Sequence, residues 1–120
     1  MSLEPLPSGQ EPSPARGTQR FYLEGEVDGV EQTFPLRSGT NRVGSLAEGN
    51  QIVLPARGVS RCHAEIVVDA GTVTVRDLWS KNGTFVDGVR VSEALTQPGS
   101  VIRIGVVSLR LMTADPPAAA

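Results

Sequence analysis

The apolar residues of this chain occur in short alternating or β-branched runs, and turn dipeptides separate the runs. Asp28-Gly29, Ala70-Gly71 and Asp87-Gly88 stand at three of the junctions. Asp87-Gly88 lies between Thr-Phe-Val and Val-Arg-Val and is the clearest two-residue hairpin, because both positions of such a turn need positive φ. No window between residues 18 and 113 has a helical period. This pattern predicts an all-β domain.

The lengths and spacing of the runs suit a β-sandwich. In the runs 66–68 and 73–75, alternate residues are expected to face the core between the two sheets. Such strands can form a core with few aromatic residues, which make up 4% of the chain. The predicted strands are Arg20–Val27, Glu31–Leu36, Thr40–Gly44, Gln51–Leu54, His63–Val68, Thr72–Asp77, Thr84–Val86, Val89–Val91, Ser100–Ile104 and Val107–Met112.

The two ends of the chain differ in composition from the segment between them. Residues 1–17 are rich in Pro, Ser, Gly and Glu, which predicts a disordered N-terminal arm. Residues 114–120 repeat this character and are expected to form a flexible C-terminal tail, either natural or the start of a linker into a further domain. Residues 18–113 are therefore predicted to fold as one domain, since a chain of 120 residues is long enough for a self-sufficient core.

The composition argues against several classes of site. Cys62 is the single cysteine, so no internal disulfide can form, and no Cys/His cluster has the spacing of a zinc site. No apolar run approaches the ~18 residues of a membrane span, and the first residues lack the features of a signal peptide. The net charge is −2, with Lys and Arg scattered along the chain. We therefore expect a monomeric cytoplasmic domain that needs no metal or cofactor and binds neither nucleic acid nor membrane.

One segment concentrates positive charge. Between residues 49 and 64 the chain contains Arg57, Arg61 and His63 but no acidic residue, and Ser60 adds a hydroxyl directly before Arg61. A phosphothreonine carries about −1.5 to −2 charges and three acceptor oxygens, and its receptor needs hydroxyl, amide and guanidinium donors on fixed loops. The segment therefore has the groups that a small local anion site requires.

Three motifs of the chain are in register with one another: Val59-Ser60-Arg61-Cys62-His63-Ala64, Asp77-Leu78-x-Ser80-x-Asn82-Gly83-Thr84-Phe85-Val86-x-Gly88 and Leu95-Thr96-Gln97-Pro98-Gly99-Ser100-Val101-Ile102-Arg103-Ile104-Gly105. Together they closely resemble the forkhead-associated (FHA) family, over about residues 36–112. The resemblance implies a β-sandwich of two twisted, mainly antiparallel sheets with binding loops at one end. It also implies a non-enzymatic module that docks phosphothreonine-containing proteins or peptides in signalling. Such domains commonly sit at one end of larger proteins, including bacterial signalling and regulatory proteins.

The resemblance assigns binding roles to residues of the first two motifs. It implies that Ser60 hydrogen-bonds a phosphate oxygen and that Arg61 lies close enough to add charge. The side-chain amide of Asn82, with one acceptor and two donors, is expected to bond the peptide backbone next to the phosphothreonine. Lys81 stands where the family often places a residue that faces the phosphopeptide, although a solvated lysine is an equally good interpretation.

Three further residues are expected to shape the site. The resemblance implies that His63 hydrogen-bonds across the base of the loop and holds Ser60 in place, which we favour over direct contact with phosphate. A catalytic pair with Ser60 as nucleophile and His63 as base is disfavoured. In an extended loop these two side chains project to different sides, and no third group orients the imidazole. Gly83 serves the turn after Asn82, and Gly44 permits close packing at a strand end.

Three neighbouring residues have simpler expected roles. Asp77 is expected to satisfy loop amides rather than to act as an acid. Trp79 is expected to be partly exposed and to cover the sheet edge. Cys62 is expected to face the core.

The clearest departure from the family pattern is at position 45. There the strand-end glycine is usually followed by an arginine that contacts phosphate, whereas Gly44 is followed by Ser45. Arg42 is not a straightforward replacement, because in an extended strand positions 42 and 45 point to opposite faces. Arg57, on the following loop, is the better candidate, and Ser45 can still donate one bond. Two outcomes are open: weaker phosphopeptide binding through Arg57 and Arg61, or a degenerate FHA domain that acts as a phosphate-independent interaction or oligomerisation module.

Overall fold

The computed structural model describes residues 20–114, and all regular secondary structure in this range is β-strand. Four of the predicted strands have the observed bounds, and six differ by one or two residues at an end. The strands are β1 (Arg20–Val27), β2 (Val30–Pro35), β3 (Gly39–Gly44), β4 (Ile52–Val53), β5 (Ala64–Asp69), β6 (Thr72–Asp77), β7 (Thr84–Val86), β8 (Val89–Val91), β9 (Glu93–Thr96), β10 (Val101–Ile104) and β11 (Val107–Ala114).

The strands form two sheets. The six-stranded sheet has the order β2-β1-β11-β10-β7-β8, and the five-stranded sheet has the order β4-β3-β5-β6-β9. Neighbouring strands are antiparallel except β3 and β4, which are parallel. The predicted all-β sandwich of two mainly antiparallel sheets is therefore confirmed.

Strand β9 was not predicted from the sequence. It pairs with β6 at the edge of the five-stranded sheet, where Val73 faces Thr96 and Val75 faces Ala94. Its residues lack a β-branched apolar run, and Leu95 is 71% exposed. An edge strand with a single neighbour needs little apolar surface, so the alternation that marks the other strands is weak here.

The core lies between the sheets and consists almost entirely of aliphatic side chains. Alternate residues of β1, β5, β6, β10 and β11 are buried, as the strand period of two requires. Each large aliphatic side chain in such a core contributes about 1.5–3 kcal/mol of burial free energy. The fully buried apolar side chains of greatest volume are Leu23, Leu54, Ile66, Ile102, Ile104, Leu109 and Leu111.

The two ends of the sandwich are connected differently. At one end, here called the loop end, lie the connections 45–51, 54–63 and 78–83, the two-residue β10–β11 turn at 105–106 and the two-residue β1–β2 hairpin turn at 28–29. At the other, the turn end, lie the hairpin turns 70–71 and 87–88 and the connection 97–100. Ala70 and Asp87 have φ values of 52° and 50°, and both are followed by a glycine of positive φ. The two-residue hairpin predicted at Asp87-Gly88 is therefore confirmed.

The predicted C-terminal limit of the domain differs from the structure by one residue. Ala114, which the sequence places in the C-terminal tail, is the last residue of β11 and pairs with Arg20. The N-terminal arm at 1–17 and the tail beyond Ala114 lie outside the described residues. Within residues 20–114 no helix of the length and hydropathy needed to span a membrane is present.

Candidate functional site

The end of β3 is in close contact with the loop 54–63. The backbone N–H of Ser45 donates to the carbonyl of Ser60 at 3.0 Å, and that of Leu46 donates to the carbonyl of Arg61 at 3.4 Å. A Cβ on Gly44 would overlap the Arg61 carbonyl oxygen. Glycine is therefore the residue that lets the Ser60 loop lie against the end of this strand.

A buried asparagine reinforces this contact. The Asn50 side-chain amide donates to the carbonyl oxygens of Leu46 at 2.6 Å and Arg61 at 2.8 Å. Asn50 is only 9% exposed, and it crosslinks the loop after β3 to the loop before β5. The sequence analysis assigned it no role. The signal that could have found it is a polar residue next to the apolar run 52–54, because a buried amide must have hydrogen-bond partners.

His63 connects two loops from the interior of the loop end. It is fully buried, its Nδ1 accepts from the backbone N–H of Ser60 at 3.0 Å, and its Nε2 lies 2.9 Å from the carbonyl oxygen of Gly83. Since Nδ1 accepts and the Gly83 carbonyl cannot donate, the imidazole is neutral with its proton on Nε2. Both ring nitrogens bond backbone groups, so neither is free to take a proton from the Ser60 hydroxyl.

Asp77 organises the loop 78–83. Its carboxylate accepts from the Ser80 amide at 3.2 Å, from the Ser80 hydroxyl, and from the Thr84 hydroxyl at 2.7 Å. The Ser80 hydroxyl oxygen in turn accepts from the Gly83 N–H at 2.9 Å. Burial raises the pKa of Asp77, but the hydrogen bonds from Ser80 and Thr84 outweigh it and hold the pKa below its ordinary value of 3.8. Asp77 thus satisfies loop groups, as the sequence predicts.

The Ser60 hydroxyl lies where these two loops meet. Its oxygen accepts a hydrogen bond from the backbone N–H of Lys81 at 3.0 Å. A hydroxyl has one donor proton and two lone pairs, so the bond to Lys81 leaves the proton of Ser60 free. Among the described residues no acceptor takes that proton. The hydroxyl is therefore oriented by the protein and available to an acceptor on a ligand.

Asn82 borders a pocket of about 290 Å³ where the loops 54–63 and 78–83 meet the β10–β11 turn. Its side-chain nitrogen donates to the carbonyl of Gly58 at 3.0 Å, which leaves its second N–H and its oxygen directed away from this bond. The side chain is exposed. Residues of three connections and two strands line the pocket: Gly58, Asn82, Gly83, Phe85, Arg103, Gly105 and Val106.

Arg90 is a residue of this region that the sequence analysis did not identify. A Cβ on Gly83 would lie 2.6 Å from Nε of Arg90 and 3.0 Å from its guanidinium carbon, so the arginine lies over the Gly83 backbone. Gly83 itself has a φ of 90°, which L side chains rarely adopt. Because β8 follows β7 through a tight hairpin, Arg90 returns to the start of β7, a contact that no local motif indicates.

The predicted cationic side chains are distributed unevenly. Arg61 and Lys81 are both exposed. Arg61 follows Ser60 in the chain, and the backbone N–H of Lys81 donates to the Ser60 hydroxyl. Arg57 is also exposed, but its carbonyl accepts from the N–H of Val106 at 3.1 Å, which ties its backbone to the β10–β11 turn. Ser45, in contrast, directly follows β3 of the five-stranded sheet, whereas β10 and β11 belong to the six-stranded sheet. The backbones of Arg57 and Ser45 are therefore attached to different sheets.

Two expectations about this region are wrong. Trp79 is 97% exposed with a φ of 58°, so it covers no sheet edge; the loop turns there, and its side chain points into solvent. Cys62 is exposed rather than core-facing. It lies in the loop before β5 begins at Ala64, so the alternation of the strand does not extend to it. No cluster of His, Cys, Asp and Glu that could hold a metal ion occurs within residues 20–114.

Comparison with known sequences places this arrangement in a family. The model of the FHA domain matches residues 41–105. The chain is 44% identical over 77 residues to the ABC transporter ATP-binding/permease protein Rv1747 of Mycobacterium tuberculosis, a match that covers 64% of this chain and 9% of that protein. The matches to two further mycobacterial relatives cover 15% and 18% of those proteins. The chain thus spans less than a fifth of the length of each.

Solved structures have the same fold. A structure from an analysis of phosphothreonine-dependent FHA domain interactions has a TM-score of 0.73 and 36% identity, and the match covers 81% of this chain and 98% of that chain. Mycobacterium tuberculosis EmbR in complex with a low affinity phosphopeptide has a TM-score of 0.67 and 31% identity, covering 79% of this chain and 25% of that chain. Since the family model spans more than half of the 120 residues and the folds agree, the chain belongs to the FHA domain family.

Proposed function

We propose that this chain is a phosphothreonine-dependent docking module whose phosphate site is the loop end. The observation that carries the proposal is the orientation of the Ser60 hydroxyl. Its oxygen accepts a hydrogen bond from the Lys81 amide, and the hydroxyl proton is free to bond a phosphate oxygen. Exposed Arg61 and Lys81 supply positive charge beside it. Two similar solved structures support the same kind of ligand: the one from an analysis of phosphothreonine-dependent FHA domain interactions, and EmbR in complex with a low affinity phosphopeptide.

The braced loops give the site its pre-organisation. His63 and Asn50 hold the Ser60 loop, and Asp77 holds the loop that presents Asn82. Donors that are already fixed lose little entropy when a ligand arrives, so each charge-assisted bond can contribute about 1.5–3 kcal/mol. A few such bonds correspond to affinities on the order of micromolar.

Asn82 is proposed to contact the peptide backbone. Its amide has an N–H and an oxygen left after the bond to Gly58, and these match the carbonyl and N–H of an extended chain. The adjoining pocket of about 290 Å³ can receive a side chain next to the phosphothreonine. In this proposal the binding domain is the predicted domain 18–113 together with Ala114, the last residue of β11, with the segments on either side as connecting chain.

Binding rather than catalysis is proposed as the activity. Both nitrogens of His63 bond backbone groups, so the Ser60 hydroxyl lacks a base. A cytoplasmic location is also part of the proposal, because a single exposed cysteine suits a reducing compartment.

A comparison of matched peptides tests this function. We expect the phosphothreonine form of a peptide selected from an oriented library to bind in calorimetry. The unphosphorylated form should bind much more weakly because it lacks the phosphate, and the phosphoserine form should bind more weakly by about fourfold or more, since a buried threonine methyl adds about 0.8 kcal/mol or more. Ser60→Ala, Arg61→Ala and Asn82→Ala should each weaken binding by about tenfold or more. Ser38→Ala, an exposed change at the turn end, is the matched control. Equal affinity for the phosphoserine and phosphothreonine forms would contradict the proposal.

Ser45 favours a second candidate, a degenerate domain that binds partners without phosphate. The Ser45 amide donates to the Ser60 carbonyl, so the backbone of an arginine at position 45 would lie next to Ser60, the proposed donor to phosphate. We expect Ser45→Arg to tighten phosphopeptide binding by about 1.5–3 kcal/mol. Arg57→Ala should weaken the wild type, and should do so less in the Ser45→Arg background. If no phosphopeptide binds either version at millimolar concentration, the phosphate-independent candidate replaces the first.

A further inference from the structure

The arginines on the outer faces of the two sheets have different partners. On the five-stranded sheet, Arg42 lies 3.4 Å from Glu65, and Arg76 lies 3.6 Å from both Glu65 and Glu93. These pairs form one chain of alternating charge across β3, β5, β6 and β9. The arginines of this face are therefore neutralised by carboxylates of the same sheet.

The six-stranded sheet carries an arginine row without such partners. In its cross-strand register Arg103 pairs with Phe85, and Phe85 pairs with Arg90, so the three residues form one row across β10, β7 and β8. The Arg103 guanidinium lies 4.4 Å from the centre of the Phe85 ring. Among residues 20–114, no carboxylate lies within 4 Å of Arg90 or Arg103 in an ion pair. We call this row the arginine ladder.

The arginine ladder continues from the proposed peptide site. Arg90 lies over Gly83, the residue after Asn82. Phe85 and Arg103 line the pocket beside Asn82, and they also line a second depression of about 350 Å³ that extends to Gly88 on the same outer face. The stacked pair is thus a ridge between two depressions. A chain bound at Asn82 can cross this ridge onto the sheet.

We propose that the arginine ladder is a second docking surface, which takes an acidic segment of the same phosphorylated partner. This inference rests on the proposed function, because the phosphothreonine fixes where the segment begins. A guanidinium stacked on an aromatic ring keeps its N–H edges free, and those edges match carboxylates. The second depression reaches Gly88, and β7 (Thr84–Val86) lies between Gly88 and Asn82. An extended peptide alongside β7 rises about 3.3 Å per residue, as the strand does, so it reaches this depression about four or more residues from the phosphothreonine.

The rest of the face determines the size of this partner segment. Glu24 lies across from Arg110 in the β1–β11 pair, and Glu26 lies across from Glu31 in the β1–β2 pair. These glutamates occupy the half of the face beyond Arg110 and would repel a continuous polyanion. A short acidic stretch of a polypeptide fits the basic half, whereas an extended nucleic acid strand does not.

Phosphothreonine peptides with a movable block of three residues test the inference. The block is either glutamate or glutamine, and it is placed from two to eight residues away on either side of the phosphothreonine. We expect one register at four residues or more to bind about three- to tenfold more tightly with glutamate, as two exposed ion pairs allow. Arg103→Gln should remove this gain, Arg110→Gln should retain it, and added salt should reduce it.

Each outcome of this experiment decides the question. Amide chemical-shift changes in β7 and β10 that appear with the glutamate block alone would support the inference. If the glutamine peptide binds and loses affinity in Asn82→Ala, but glutamate adds nothing at any register, the proposed function stands and the ladder is overturned. If neither peptide binds, both proposals fail together. Equal binding of an unrelated oligonucleotide that Arg103→Gln abolishes, or self-association that the same variant abolishes, would reassign the surface and overturn this inference.

Discussion

The hairpin turns at the turn end and the binding loops at the loop end are held by different kinds of interaction. In the turns 70–71 and 87–88, local backbone geometry sets the conformation: Ala70 and Asp87 adopt positive φ before a glycine, and the strands on each side continue in register. At the loop end, buried polar side chains connect segments that are far apart in sequence, as His63 does between Ser60 and Gly83. This comparison shows that the shape of the binding loops depends on a few buried polar groups.

The largest expected effect comes from removing His63. His63→Ala leaves the Ser60 amide and the Gly83 carbonyl without their partner and creates a cavity, so we expect a loss of about 3–5 kcal/mol of unfolding free energy. Urea denaturation measures the loss, and phosphopeptide affinity should fall with it. His63→Asn, which can replace one of the two bonds, should fall between the alanine variant and the wild type. Reduced affinity with unchanged stability would instead make His63 a direct ligand.

A second prediction contrasts one substitution at the two ends. Gly44→Ala places a Cβ against the Arg61 carbonyl, so the loop must move, and we expect a loss of about 1–3 kcal/mol of stability and a weakening of phosphopeptide binding by about tenfold. Gly71→Ala meets no atom within 4 Å but has a φ of 85°. It should cost about 1 kcal/mol of stability through backbone strain and leave affinity unchanged. Equal effects of the two on affinity would break the comparison.

A third, smaller effect depends on pH. Because hydrogen bonds hold the pKa of Asp77 below 3.8, its stabilisation is present above the unfolded-state pKa and is lost as the pH falls through the folded-state pKa. Unfolding free energy should therefore drop between about pH 5 and about pH 2, and Asp77→Asn should make that drop smaller. Asp69→Asn, at the turn end, is the matched control. An unchanged drop in Asp77→Asn would show that other carboxyls cause it.

The smallest expected effect is at the turn end. The Thr72 hydroxyl donates to the Asp69 carbonyl at 2.7 Å in an exposed hairpin. Thr72→Ala should lower the unfolding free energy by about 0.5 kcal/mol or less, because water replaces an exposed hydrogen bond. Phosphopeptide affinity measured by calorimetry should not change. A loss of affinity would show that the two ends are coupled through the core.

Features set by local sequence were predicted better than features that depend on distant contacts. Strands β6, β7 and β8 were predicted with their observed bounds, because hairpin turns and alternating apolar residues mark them directly. Strand β9 was missed, since an edge strand needs few apolar residues. In the site, the motif residues Ser60, His63 and Asn82 could be selected from their order and spacing, and their roles in binding stay predictions. Asn50 and Arg90 were not found, because their partners are distant in sequence or reached through a hairpin.

The sequence by itself determined the fold class, the two-residue hairpins and the segment that concentrates positive charge. These depend on local φ preferences, a side-chain period of two and composition, all of which act over a few residues. Only the tertiary structure decided that Cys62 and Trp79 face solvent, that Arg57 is tied to the β10–β11 turn and that Arg90 lies over Gly83. Those outcomes depend on how the two sheets bring separate loops together, and buried polar groups take whichever partners that packing supplies.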